Sequence, residues 1–149
     1  MIGVEDMIVR HASEIDCLAL ARLMEELGYP TTPDQIADRL KFFRDRIDHS
    51  IFVADDGGNV AGMIAVSVSP TIYRSELSGA IVALVVSSVS RGKGVAGLLV
   101  GEGERWLWKA GARRVMVNPS SYREEAHRVY TRLGFDQSGL RFTKNLVQP

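Results

Sequence analysis

The stretch that most constrains this chain runs from Ser78 to Ala110. An apolar run, Ile81–Val86, gives way to the polar bend Ser87–Ser90, then to Arg91-Gly92-Lys93-Gly94-Val95-Ala96, then to a long pattern of helical period. A run apolar on both sides suits a mid-sheet strand with both faces covered. Ala96, Leu99, Val100, Gly103, Leu107 and Ala110 recur at helical spacing and make one apolar face. Gly103 costs about 1 kcal/mol relative to alanine in a helix, so close packing against the sheet is its expected reason. Strand, glycine-rich turn and helix N-terminus in this order form an anion trap. The first N–H groups of a helix have no partner within it, and the helix dipole favours negative charge there. Glycine lets the backbone approach a phosphate. The expectation is a phosphate-bearing cofactor at this turn.

The rest of the chain supplies a frame for that unit. Met7–His11 reads as an edge strand. Ser13 and Asp16 resemble a capping box ahead of a helix that Gly28 ends. Thr32 at N-cap and Pro33 at N1 open a second helix carrying Ile36, Leu40, Phe43 and Ile47 on one face. Ile51–Ala54 and Val60–Ser69 are strands joined by the turn Asp55-Asp56-Gly57-Gly58-Asn59. Thr71–Ser78 reads as a loop or wide hairpin. After Gly111 come a strand, Val115–Val117, a break at Asn118-Pro119, and a helix, Tyr122–Leu133, ended by Gly134. Phe135 onward and Arg141–Val147 read as a terminal hairpin. The order is βααβββαβαββ. It predicts an α/β (α+β) fold with a mixed six- to seven-stranded sheet, helices on both faces, and a parallel crossover from Ile81–Val86 to Val115–Val117. The 149 residues suit a single domain, 1–149.

Composition excludes several classes of function. Eighteen basic residues balance 18 acidic ones, which gives no global electrostatic case for nucleic acid or an anionic membrane. No apolar run approaches the roughly 18 residues of a membrane span, and the N-terminus shows no signal-peptide core. The single cysteine, Cys17, excludes an internal disulfide and suits a reducing cytoplasm. His11, His49 and His127 have no ligand-like spacing, so no metal is expected.

Two glycine-rich readings compete. Gly92-Lys93-Gly94-Val95-Ala96-Gly97 satisfies the dinucleotide pattern G-x-G-x-x-G. Against it, the next strand ends in Asn118 where an acidic residue belongs, the motif follows an antiparallel meander, and only about 50 residues remain for the rest of such a fold. A P-loop fails because no Ser or Thr follows a Gly-Lys pair. The other reading is a resemblance. Arg91-x-x-Gly94-x-Ala96 after a Val-Val strand end resembles the acyl-CoA motif of the GNAT-type N-acetyltransferases. Ala126-His127-Arg128-Val129-Tyr130-Thr131-Arg132-Leu133-Gly134-Phe135 resembles that family's second conserved segment. The element order agrees along the whole chain, including Glu26-Leu27-Gly28-Tyr29-Pro30. Within the family, Arg123–Tyr130 looks most like small bacterial acetyltransferases, often of aminoglycoside type.

The resemblance implies acetyl-CoA as cofactor and a small-molecule or peptide amine as acceptor. It implies that Leu84, Val85 and Val86 offer backbone groups to the pantetheine arm, which adds to the sheet like a strand. The amides of Gly92, Lys93, Gly94, Val95 and Ala96 would cradle the pyrophosphate, with Arg91 adding charge; Lys93 would reach a phosphate or face water. Asn118 would meet the arm or simply form the turn before Pro119. Tyr130 occupies the family's general-acid position. Its ordinary pKa of about 10 exceeds a thiol's by about 1.5 units, so a hydrogen bond to the developing thiolate suits it better than full proton transfer. A lysine-like amine costs roughly 4.6 kcal/mol to deprotonate at pH 7, so a base would help. Many relatives carry a carboxylate on the strand before the motif, whereas Ile81-Val82-Ala83-Leu84 has none. Glu76 is the nearest acid in sequence; Glu25, Glu26 and His127 are others. The missing carboxylate also admits a non-catalytic, acetyl-CoA-binding domain. Acceptor specificity would lie in Tyr29–Pro33 and Pro70–Ser78. Dimers are common among such proteins, so a homodimer is open.

Overall fold

A computed structural model describes residues 6–117, 124–137 and 144–148. The chain divides into two compact units, Met1–Pro119 and Ser120–Pro149. The first unit is built on a five-stranded sheet in chain order: β1 (Ile8–His11), β2 (His49–Asp56), β3 (Asn59–Ser69), β4 (Leu77–Val86) and β5 (Ala112–Val117). The first four pair antiparallel, while β4 and β5 are parallel, joined through α3 (Val95–Ala110). A mixed sheet with a parallel crossover is what the sequence predicted.

The two faces of this sheet are covered by different helices. On one, Leu20 and Leu23 of α1 (Cys17–Leu27) and Ile36 of α2 (Pro33–Arg44) pack with Val53, Met63 and Val85. On the other, α3 lies so close that a Cβ on Gly103 would stand 3.0 Å from Ile64 Cδ1 and 3.1 Å from Val66 Cγ1. Met63 and Ile64 are consecutive and serve opposite layers, as the two-residue period of a strand requires. Gly103 therefore has the close-packing role its position implied. Helix starts also follow the sequence. Thr32 Oγ1 accepts from the Gln35 amide at 3.1 Å, and Gln35 Oε1 accepts from the Thr32 amide at 3.0 Å. No helix among the described residues is long and apolar enough to cross a membrane.

Two expectations need correction. β4 begins at Leu77, so Leu77 and Ser78, read as the end of the loop or wide hairpin, belong to the strand, as does Gly79, which the sequence left between the two. Gly79 sits there because a Cβ would come within 3.0 Å of the Arg114 carbonyl oxygen and 3.1 Å of Leu107; tight packing, not a turn, selects it. The expected six to seven strands are five among the described residues. Residues 135–137 and 144–148 of the expected terminal hairpin carry no strand, and 138–143 lie outside the described residues. The second unit contains α4 (Glu124–Arg132).

An ion cluster joins β1, β2 and the start of α1. Arg10 donates from Nη1 and Nη2 to the two carboxylate oxygens of Asp16, each at 2.8 Å, and from Nε to Asp55 at 3.0 Å. Asp16 is buried. Burial pushes its carboxyl up, but the Arg10 hydrogen bonds and the Ser13 amide outweigh this, and it sits below its ordinary range. Asp55 is also lowered, first by the Gly58 amide and then by Arg10. Carboxylates held low in the folded state contribute stability that is present above their unfolded pKa of about 4 and is lost as pH falls below it.

Arg10→Leu should therefore cost about 2–3 kcal/mol at neutral pH and clearly less near pH 3, read by urea unfolding at the two pH values. A different constraint governs the β3–β4 contact. A Cβ on Gly62 would meet the Val85 carbonyl oxygen at 2.8 Å and Val86 Cα at 3.3 Å, both backbone atoms. Gly62→Ala should lower unfolding free energy by roughly 1–3 kcal/mol in the same assay.

Candidate functional site

β4 is held differently along its two halves. Its pairs with β5 run from Leu77↔Ala112 to Ile81↔Val117, whereas its pairs with β3 continue to Val86↔Gly62. Among the described residues, 82–86 thus have a strand neighbour on one side only. The change coincides with an irregularity: Ala65 pairs with Ala83 and Val66 with Ile81, which leaves Val82 as an extra residue on β4. Such a bulge bends a strand and increases its twist. Past it, Leu84, Val85 and Val86 form a short edge on which an extended ligand can add backbone hydrogen bonds. Val85 is anchored in the α1 face of the core.

The edge leads directly into a turn rich in free amides. Ser87 N–H bonds to the Ala61 carbonyl at 2.8 Å, Ser90 N–H to Ser87 at 2.9 Å, and the Ser90 side chain is buried. Gly92 (φ 77°) and Gly94 (φ 86°) then take left-handed conformations on either side of Lys93. Both conformations favour glycine and turn the backbone sharply. Gly94 caps α3, whose first bond runs from Leu98 N–H to the Gly94 carbonyl at 3.2 Å. The Val95 and Ala96 amides precede that bond and have no acceptor inside the helix. Val95 is 1% exposed and locks the first helical turn to the core. Arg91 and Lys93 are exposed, and Arg91 Nε lies 3.5 Å from the Val86 carbonyl. Preorganised amides, a helix N-terminus and two cations make an anion cradle at the end of the β4 edge.

The structure thus brings together Leu84, Val85, Val86, Arg91, Gly92, Lys93, Gly94, Val95 and Ala96. It does not bring Glu76 to them. Glu76 precedes β4, is exposed, and its Oε1 stands 4.0 Å from Arg74. At about 3.3 Å per strand residue it lies roughly 17 Å before the point where β5 pairing ends. Proximity in sequence does not become proximity in space because β4 is extended. Asn118 lies outside the described residues. Tyr130 is on α4, its ring edge-on to Phe135 at 5.6 Å between centroids, and burial pushes its hydroxyl above the ordinary phenol value. Tyr29 is half exposed after the end of α1. Glu26 holds Ser88 in the bend before the turn, a partnership between residues 62 apart that no local pattern signals.

This edge-and-cradle arrangement suits a long ligand with a diphosphate near one end. The profile of the Acetyltransferase (GNAT) family matches residues 17–135. The chain belongs to the GNAT family. It is 31% identical over 145 residues to the aminoalkylphosphonate N-acetyltransferase of Salmonella typhimurium, covering 93% of this chain and 90% of that protein. A transcriptional regulator from Bacillus halodurans has the same fold, with a TM-score of 0.84 at 20% identity over 94% of this chain and 99% of that one. An aminoglycoside N-acetyltransferase solved with CoA follows at 0.82, 18% identical over 94% of each chain. The enzyme is an N-acetyltransferase, and acetyltransferases of the GNAT family use acetyl-CoA.

At Gly92 a Cβ would meet nothing within 4 Å, so a substitution there reports on backbone conformation alone. Gly92→Val should weaken acetyl-CoA about tenfold in calorimetric titration, because a β-branched residue at positive φ costs of order 1–2 kcal/mol and turns the amides away.

Proposed function

We propose that this GNAT enzyme transfers the acetyl group of acetyl-CoA to a primary amine of a small molecule or peptide by direct attack, within a single domain spanning the chain. The observation that carries the reading is the β4 edge, partnered on one side from 82 to 86 among the described residues and running straight into the Gly92–Ala96 cradle. When bound, acetyl-CoA supplies a thioester acetyl group open to an amine nucleophile. Leu84, Val85 and Val86 would hold its arm through backbone groups, and a backbone N–H near Val86 would favour charge developing on the carbonyl oxygen. The amides of Gly92, Lys93, Gly94, Val95 and Ala96, with the Arg91 guanidinium, would hold its pyrophosphate. Asn118 would contribute its amide to the same arm.

Tyr130 would donate a hydrogen bond toward the leaving sulfur. Burial raises its pKa, which weakens it as an acid but keeps the hydroxyl protonated throughout the working range. This supports a donor role over full proton transfer. The Ile81–Val86 segment offers no carboxylate, and Glu76 lies at the other end of β4. The amine would then lose its proton to water, or arrive with a low pKa of its own. The aminoalkylphosphonate and aminoglycoside activities of similar proteins make aminoalkylphosphonates and amino sugars the first acceptors to try, with peptide amines beside them. Selectivity among them would lie in the exposed Tyr29–Pro33 and Pro70–Ser78 segments.

A thiol-release assay over that acceptor panel tests the proposal; no turnover with any primary amine, despite acetyl-CoA binding, would overturn it. In an active assay, Tyr130→Phe should lower kcat about 100-fold while acetyl-CoA affinity stays close to wild type. Two acceptors of different amine pKa give the pH dependence. The rate should rise with pH up to each amine's own pKa, with no carboxylate-like limb. No fall from loss of the Tyr130 proton should appear below about pH 10, since its pKa is raised from that value.

A further inference from the structure

Glu26 sits in the last turn of α1, whose end is fixed by the left-handed Gly28 (φ 102°) and by the bond from Tyr29 N–H to the Met24 carbonyl at 2.8 Å. From this rigid position its carboxylate reaches the segment between β4 and the glycine turn. Ser88 Oγ donates to Glu26 Oε1 at 3.0 Å, and Ser88 N–H lies 3.4 and 3.3 Å from Oε1 and Oε2. Ser88 opens the short 3-10 turn Ser88–Ser90 that delivers Arg91 and Gly92. Its neighbour Ser87 is tied to β3 through Ala61. The bend is thus pinned to the sheet at one residue and to α1 at the next. The sign of the charge is informative. A carboxylate near an anion cradle opposes anion binding through space, so attraction of the cofactor cannot be its contribution. Accepting two hydrogen bonds from one loop residue fixes geometry.

We infer that Glu26 is a positioning residue for the cofactor site: through Ser88 it sets the bend from which the Gly92–Ala96 amides converge on a diphosphate. The inference rests on the proposal that this turn holds the acetyl-CoA pyrophosphate. The test compares acetyl-CoA with S-acetylpantetheine, which carries the arm and thioester without the diphosphate, by calorimetric titration of the full chain. Glu26→Ala should weaken acetyl-CoA about tenfold and leave S-acetylpantetheine within about twofold. Glu26→Gln keeps an oxygen that accepts both Ser88 bonds and removes the opposing charge, so it should bind acetyl-CoA as tightly as wild type or more tightly. Ser88→Ala, in an exposed bend, loses only the hydroxyl bond and should show a smaller loss of about threefold, again confined to acetyl-CoA. It carries the comparison should Glu26→Ala not fold. Equal weakening of both ligands, unchanged acetyl-CoA binding in Glu26→Ala and Ser88→Ala, or a Glu26→Gln as poor as Glu26→Ala would overturn the inference. Wild-type protein that fails to bind acetyl-CoA would instead overturn the cofactor reading on which it stands, a result distinguishable because it needs no variant.

Discussion

The site depends on unequal pairing of one strand. Among the described residues, β4 is bonded to β3 along its length but to β5 only as far as Ile81. A strand needs partners for its backbone groups, and those left unpaired beside a packed core are costly unless water or a ligand satisfies them. The sheet therefore carries a short edge in its interior. Elsewhere an unpaired edge invites aggregation. Here it is five residues long and kinked by the Val82 bulge, so it suits one extended guest better than another sheet.

Close packing keeps that edge in place. Gly62 lets β3 lie against the Val85–Val86 backbone, and Gly103 lets α3 settle on Ile64 and Val66. Val85 faces α1 and Val95 anchors the start of α3. The cradle is consequently set by core contacts on both faces of the sheet, with its amides oriented before any ligand arrives. Preorganisation of this kind reduces what binding must spend on ordering the loop.

Local signals made most of the frame legible. The Thr32–Gln35 cap, the period of α3 and the two faces of β3 were readable because each depends on neighbours within a few residues. The glycines were legible as a class but not in purpose. Gly92 and Gly94 read correctly as turn formers, whereas Gly79 went unassigned although it sits in β4, because its reason is Arg114 and Leu107, more than 25 residues away. The same limit hid the Val82 bulge, which exists only relative to β3, and the Glu26–Ser88 contact, which joins residues of no shared pattern. Glu76 fails in the opposite sense: adjacency in sequence suggested a base, and the length of an extended strand separates it from the cradle.

This contrast explains why the proposed cofactor half of the site is readable and the acceptor half is not. Backbone amides donate whatever side chain they carry, so a cradle made of them constrains sequence only where the main chain must adopt positive φ or come unusually close. Two glycines, an arginine and a small residue then suffice as a signature, and the same fold persists at identities near one in five. An acceptor site selects through side chains, whose identities change with each substrate and whose spacing in sequence carries no periodic mark. The exposed Tyr29 and the loop before β4 are the segments proposed for that role. On the proposed reading, a β4 without a carboxylate places the demand on the acceptor: an amine that is already neutral, or readily made so, would meet the thioester without help from a base on that strand.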